Sequence, residues 1–431
     1  MSEPSPPIYW NAPEADSRCG STGSISVAAS SPTDPIQNHS GPRPRPFPTQ
    51  GSGYSLIMDA NIPSPTARLR GEVVYFFAYD IAYELSRELP ASLMGHQISE
   101  YRLDASKRNP KHLVFYRPRM IRLPPEDRVG PHGPVQIRIE AKILPIGAIS
   151  IRVRVPFEVD ALADLVAYHD LHFHRTTLDE EVRSLAEKLR SELAPWVLRS
   201  NEGLSEEEGY TVFCLQPPTD YGVPFRSESW MVRHREAIAG LLNQENDPAC
   251  LSGQEIHEST SRHISYYQHD LAVIDWDAAL LVDAPSEWEE CLYAIEVANL
   301  QLAELEAYDR HLDLVLERSY RDLSGAPMRT RKALITGLRE LRIDMARFSD
   351  ELSNINKFLG DWHLARIYET TAGRFHLADW KKGVEEKLKT VGELHELLKS
   401  DHANRWMMAL EITIVLLFIL DVILLIFGGK K

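Results

Sequence analysis

Cysteine is scarce. The 431 residues hold four, Cys19, Cys214, Cys250 and Cys291, far apart and without a CxxC pair, which excludes a disulfide framework and a thiolate zinc site and fits a reducing compartment. Nucleotide and hydrolase signatures are also missing: there is no GxxxxGKS/T, no GxGxxG after a strand, no GxSxG and no HExxH. With them go the phosphate-cradling loop, the nucleophile elbow and the zinc-protease helix. The first residues, MSEPSPPIYW, lack a charged segment followed by an apolar one, and they are not an Arg-rich amphipathic presequence; no secretory or mitochondrial leader is read there. Positive charge is in deficit, with 47 Lys and Arg against 62 Asp and Glu for a net charge of -15. Whole-surface binding to nucleic acid or anionic lipid is therefore excluded, and any such contact must be local.

What is present is globular in composition, 43% hydrophobic and 25% charged, with enough chain for two or three domains. Residues 1–66 are the exception, rich in Pro, Ser, Gly and Thr. Such a stretch buries too little apolar area to offset its ordering entropy and is expected to be disordered; PRPRPFP within it has the composition of a polyproline ligand, or of a plain linker.

Order is expected from GEVVYFFAYDIAYEL onward, in an α+β region over 67–200. Val135, Ile137, Ile139, Ala141 and Ile143, then Ile149, Ile151, Val153 and Val155, alternate with polar residues on either side of PIG, so 135–156 reads as a hairpin with one buried face. A second α/β segment spans 201–285. From 286 to 402 the pattern is helical: Ala298, Leu305 and Leu312 recur at sevens beside Ile295, Leu302 and Leu316. Leu334, Leu338, Leu341, Met345, Phe348, Leu352, Ile355, Leu359 and Trp362 then step by four and three, and Leu377, Val384, Val391 and Leu398 follow at sevens. Such a seam predicts a coiled-coil stalk, used either within one chain or for oligomerisation.

The chain ends in an apolar run, Trp406–Phe427, broken only by Glu411, Thr413 and Asp421. As a helix it would rise about 33 Å, enough for a hydrocarbon core of about 30 Å, so it reads as a single C-terminal transmembrane helix. The expected fold class is thus α+β, with mixed head domains, a heptad stalk and one span. Localisation follows as single-pass and tail-anchored with the bulk cytoplasmic. Asp421 would be costly facing lipid, which points to helix association or an ion path, or to a tolerated neutral acid.

Chemistry-bearing clusters are few. His169, His172 and His174 with Asp170 are weak candidates for a metal, the ordinary reading being a helix end. His257, His263 and His269 stand with two tyrosines in HESTSRHISYYQHD, and their ordinary reading is capping and packing. A basic patch comprises Arg102, Lys107, Arg108, Lys111, Arg117, Arg119, Arg122 and Arg128, interleaved with aromatics; it suits RNA phosphates or anionic headgroups, or is a solvated loop. No cofactor is implied.

The strand GYTVFCLQ, the segment HISYYQHDLAVIDWDAALLVD, the helix YAIEVANLQLAELEAYDRHLD and the terminal apolar run together resemble the required-for-meiotic-nuclear-division family over about 208–427. The resemblance implies an α+β domain on a helical stalk, anchored by its tail and oligomeric in some members, with mitochondrial relatives that support translation of membrane proteins. The functional expectation is a non-enzymatic, tail-anchored scaffold that oligomerises through its stalk and presents the head to a protein or ribonucleoprotein partner. Alternatives are an oligomeric ion-transport protein and a His-rich metal-dependent enzyme.

Overall fold

The computed structural model describes residues 68–86, 88–101, 118–173, 175–200, 204, 207–219, 224–323, 343 and 362–428. Val73, Tyr75 and Phe77 face one core while Val74 and Phe76 face another, because an apolar strand with no polar alternation is covered on both sides. That strand, β1 (Leu69–Asp80), is central in a ten-stranded sheet. The others are β2 (Ser99–Glu100), β3 (Arg119–Arg122), β4 (Glu126–Gly130), β5 (Gly133–Ile143), β6 (Ala148–Val159), β7 (Glu208–Leu215), β8 (His263–Ile264), β9 (Leu271–Ile274) and β10 (Ala278–Val282). Their order is β8-β9-β10-β7-β1-β6-β5-β3-β2, with β4 paired to β5. Pairing is antiparallel except between β7 and β10, which run parallel with Phe213 opposite Leu280.

Strands β5 and β6 form an antiparallel hairpin, Ile139 opposite Val153. Its turn depends on Gly147, whose φ is +96° and where a Cβ would lie 1.6 Å from the Ala82 carbonyl oxygen; the Gly147 carbonyl accepts from the Ile81 and Ala82 amides. No side chain fits there.

Helices α1 (Leu178–Leu193) and α2 (Ser227–Leu242) bury their apolar stripes on the first face of the sheet. A short helix, α3 (Gly253–Ser261), follows. The second face carries α4 (Trp288–Leu323), α5 (Trp362–Arg374) and α6 (Leu377–Gly428). Every residue of α4 from Cys291 to Leu305 is buried, since the sheet lies under it and the other two helices pack beside it. Asn299 donates to the Glu208 carbonyl while Lys387 reaches both Asp309 and Asp313 at 2.7 Å, and Phe375 packs on Tyr210. α4 and α6 therefore run in the same direction.

Several expectations are corrected. The fold is a mixed α/β domain built on one large sheet, not an α+β head on a stalk with a span. Toward its turn the hairpin has both faces covered, since Lys142, Ser150, Arg152 and Arg154, on the side expected to meet solvent, are buried, while Gln136 and Arg138 farther along stay exposed. The coiled-coil reading is unsupported. Ile295, Ala298, Leu302, Leu305, Leu312, Leu377, Val384 and Val391 are buried within the chain, against the sheet and neighbouring helices, and Leu316 packs against the same core. In the second seam Trp362 is 73% exposed, while Leu334, Leu338, Leu341, Met345, Phe348, Leu352, Ile355 and Leu359 lie outside the described residues.

The transmembrane expectation is corrected too: among the described residues no helix is long and apolar enough to cross a membrane. Within the described apolar side chains from Trp406 onward stands an exposed Glu411. The Asp421 side chain lies outside the described residues. The tail anchor, the membrane as partner and the single-pass localisation fall with the span.

Candidate functional site

Among the described residues a polar cluster centred on the buried Glu296 clamps α4 onto the sheet. Lys142 on β5 and Ser150 and Arg152 on β6 converge on Glu296 of α4: Lys142 pairs with Glu296 Oε2, Ser150 Oγ donates to Oε1 at 2.7 Å, and Arg152 Nη2 donates to Oε2 at 2.5 Å. Arg152 also donates to Glu289 at 2.9 Å, and Arg154 joins Glu289 to Glu72. The Lys142 ammonium sits 3.8 Å from the centroid of the Tyr101 ring. Burial alone would raise the Glu296 carboxyl, but Arg152 and then Lys142 hold it down at about 2, while burial and Arg152 push Lys142 down to about 8 despite Glu296. Opposite charges answer each other across the sheet and α4. The cluster fixes α4 on the sheet.

The accessible candidate is the loop between β8 and β9. Asp270 is buried, and its Oδ1 accepts from the amides of Tyr266 and Tyr267, both at 2.9 Å, and from Ser265 Oγ at 3.0 Å. Three donors on one carboxylate oxygen hold the turn. From α2, the Ser227 amide donates to the Gln268 carbonyl at 2.9 Å and Arg226 Nη1 to Gln268 Oε1 at 2.5 Å. The loop is therefore pinned from inside and from one side.

This rigid turn holds aromatic side chains out to solvent. Tyr266 is 55% exposed and Tyr267 52%. Their rings meet edge to face, with centroids 4.7 Å apart at 84°. On the other side of Tyr267 the His269 ring stacks at 5.4 Å and 9°, and the His363 ring of α5 lies 5.5 Å from Tyr266. Arg262 and His263 are exposed on the approach. Beyond His269 stands Asp283, at the end of β10, whose carboxyl burial pushes up to about 6, with Asp270 and Glu287 adding to the rise. Leu271 pairs with Val282, so the loop lies beside the carboxyl end of β10, and β7 ends there too.

α5 is fastened along the neighbouring edge by Arg374, whose Nε donates to the Ile274 carbonyl at 3.2 Å and whose Nη1 lies 3.0 Å from Glu258 and 3.5 Å from Asp275. The ring of His376, just past it, lies tilted against Trp276 with centroids 5.5 Å apart.

Among the described residues, the histidines singled out from the sequence form no metal-binding group. His169 is largely buried; its Nε2 lies 2.7 Å from the Leu241 carbonyl and its ring packs edge-on against Phe213. Burial lowers its pKa. His172 is exposed beside Asp170, and His174 lies outside the described residues. His257 and His263 are exposed on α3 and β8. Among the described residues no group of three His, Cys, Asp or Glu side chains is placed to hold a metal. Of the basic patch, Arg119, Arg122 and Arg128 pair with Glu100, Glu140 and Glu126, whereas Arg102, Lys107, Arg108, Lys111 and Arg117 lie outside the described residues. Sequence reasoning weighted the histidines of HISYYQHD and passed over its tyrosines. The available signal was an aspartate three and four residues after two adjacent tyrosines in a short inter-strand turn.

The family model described as "Uncharacterized protein MJ0711, N-terminal domain" matches residues 70–288, a little over half of the chain. The chain belongs to that family. A curated relative, the uncharacterized protein MJ0711 of Methanocaldococcus jannaschii, is 25% identical over 218 residues, which cover 50% of this chain. The chain spans 65% of that relative's length. No solved structure matches. The resemblance to the required-for-meiotic-nuclear-division family is corrected accordingly. The segments GYTVFCLQ and HISYYQHDLAVIDWDAALLVD that carried it are β7 to β10 of the MJ0711-type domain. That domain contains the aromatic loop and stops at Trp288, the first residue of α4.

Proposed function

We propose that the chain is a non-enzymatic scaffold whose α/β head presents the loop Arg262–Asp270 to a protein or ribonucleoprotein partner. The observation that carries this reading is the loop itself, with two exposed tyrosines held in fixed geometry by one buried aspartate. Tyrosine and tryptophan are enriched at binding hot spots, where they offer large contact areas at low entropic cost. A turn pinned before binding loses little further freedom when a partner docks. The buried charged cluster around Glu296 holds α4 in place, which suits a rigid support better than a reaction centre.

The test is site-specific photocrosslinking from position 268 in cells, followed by mass spectrometry. Position 188, an exposed lysine on α1 across the sheet, serves as the control. The reading requires a defined partner from position 268 that position 188 does not capture. Equal, diffuse capture from both positions would remove it.

A further inference from the structure

We infer that a cavity of about 80 Å³ on the first face of the sheet binds a small organic ammonium ion. Its floor is the amino end of β7 beside β1, where Tyr75 stands opposite Thr211 and Phe77 opposite Gly209. Its roof is the segment from His169 to the first residues of α1. The room exists because position 209 has no side chain: a Cβ there would meet nothing closer than the Phe77 ring, at 3.9 Å. Such a volume admits several waters or an organic ion of about two to five heavy atoms.

The polar groups that line the cavity are acceptors. His169 Nε2 lies 2.7 Å from the Leu241 carbonyl oxygen, so that nitrogen carries the ring proton and Nδ1 keeps its lone pair. Burial lowers the His169 pKa and holds the ring neutral. The Tyr75 hydroxyl spends its proton on the Tyr168 carbonyl at 2.5 Å and retains only an accepting oxygen. Asp179, exposed to solvent at the rim, adds a carboxylate. The amides of Leu178 and Glu180 are already bonded, to the Leu171 carbonyl and Thr177 Oγ1. Those donors of the first turn are not offered to an anion.

Charge decides the class of ligand. Among the described residues no lysine or arginine lines the cavity, and Asp179 has no ion-pair partner there. Burial raises the Asp179 pKa, and Glu207 and Asp170 raise it further against His172. Glu207 is itself held by Arg183 at 2.6 Å. A cation beside Asp179 relieves this repulsion, whereas an anion adds to it. A metal ion would need more ligands than His169 and Asp179 supply. An alkylammonium donates N–H bonds to those two groups and sets its carbon against the Tyr75 and Phe77 rings, whose faces attract positive charge.

The experiment is an amide NMR titration of the full chain with methylammonium chloride, beside sodium chloride at equal ionic strength, sodium acetate and methanol. The expected result is saturable shifts at Asp179, Gly209 and Thr211 with methylammonium and none with the other three. Gly209→Ala, which puts a methyl group into the cavity, and Asp179→Asn, a change at an exposed position, should each weaken binding at least tenfold with unchanged circular dichroism. Affinity should also fall as acid protonates Asp179. Shifts that do not saturate, equal shifts with sodium chloride, acetate or methanol, or full binding by both variants would overturn the inference.

Discussion

At the scale of single residues, the decisive facts are two carboxylates in opposite employment. Asp270 spends its hydrogen-bonding capacity on the turn that displays Tyr266 and Tyr267, and Glu296 spends its own on cations under α4. Replacing Glu296 by alanine leaves Lys142 and Arg152 buried without their main partner, and should cost about 3–5 kcal/mol in chemical denaturation. Acid should act in the same direction. The Glu296 carboxyl is held at about 2 in the folded chain against an ordinary value of 4.5, so its contribution is present in full above 4.5 and is lost as pH falls toward 2. Glu289 is lowered as well, by Arg152 and Arg154 against the effect of burial. Denaturation midpoints should therefore drop over that window in the wild type and much less in Glu296→Gln. None of this could be read from the chain alone. Lys142, Arg152 and Arg154 occupy the polar register of a period-two pattern, and a solvent face and an ion-paired buried face have the same pattern. Glu296, the partner of Lys142 and Arg152, comes 144 to 154 residues away.

Elements tell a different story. The apolar alternation in β5 and β6 and the heptad steps in α4 and α6 were visible as patterns, because side-chain periodicity survives in sequence. What the helical patterns pack against was not, since an apolar stripe at sevens serves a sheet, a sister helix or a second chain equally well. In α4 the sheet claims the first half and α6 the second. The meeting of α4 with the start of β7 carries a strain that can be measured. Burial, reinforced by Glu306 and Asp277 against Arg310, raises the Glu208 carboxyl to about 8. A raised carboxyl pKa gives stability that is present below 4.5 and lost as pH rises to 8. Glu208→Gln should accordingly be more stable than wild type at pH 8, by roughly 1–3 kcal/mol after allowance for its partial exposure, and the gap should close by pH 5. Arg374→Met, which frees α5 from Ile274, Glu258 and Asp275, should raise amide exchange in α5 and β9 while leaving α1 protected.

For the molecule as a whole, the family match draws a boundary that the packing does not. The matched domain ends at residue 288, yet Val74, Phe76, Tyr210, Val212, Cys214, Ile274, Ala279 and Leu281 form an apolar sheet face that α4, α5 and α6 cover. A chain of residues 68–288 should therefore expose that face and aggregate or bind hydrophobic dyes, whereas residues 68–400 should stay folded; a well-dispersed amide spectrum from the shorter chain would refute this division of labour. The terminal part of α6 stands apart, since its described apolar side chains from Trp406 to Ile423 are 46–70% exposed. The central claim concerns the other end of the architecture, the loop that the covered sheet supports. It is tested most directly by quantitative affinity mass spectrometry of the wild-type chain beside a Tyr266→Ala/Tyr267→Ala variant of matched expression and unchanged circular dichroism. The docking account predicts a small, defined set of proteins that the wild type retains and the variant loses at least tenfold; identical sets from both chains would contradict it.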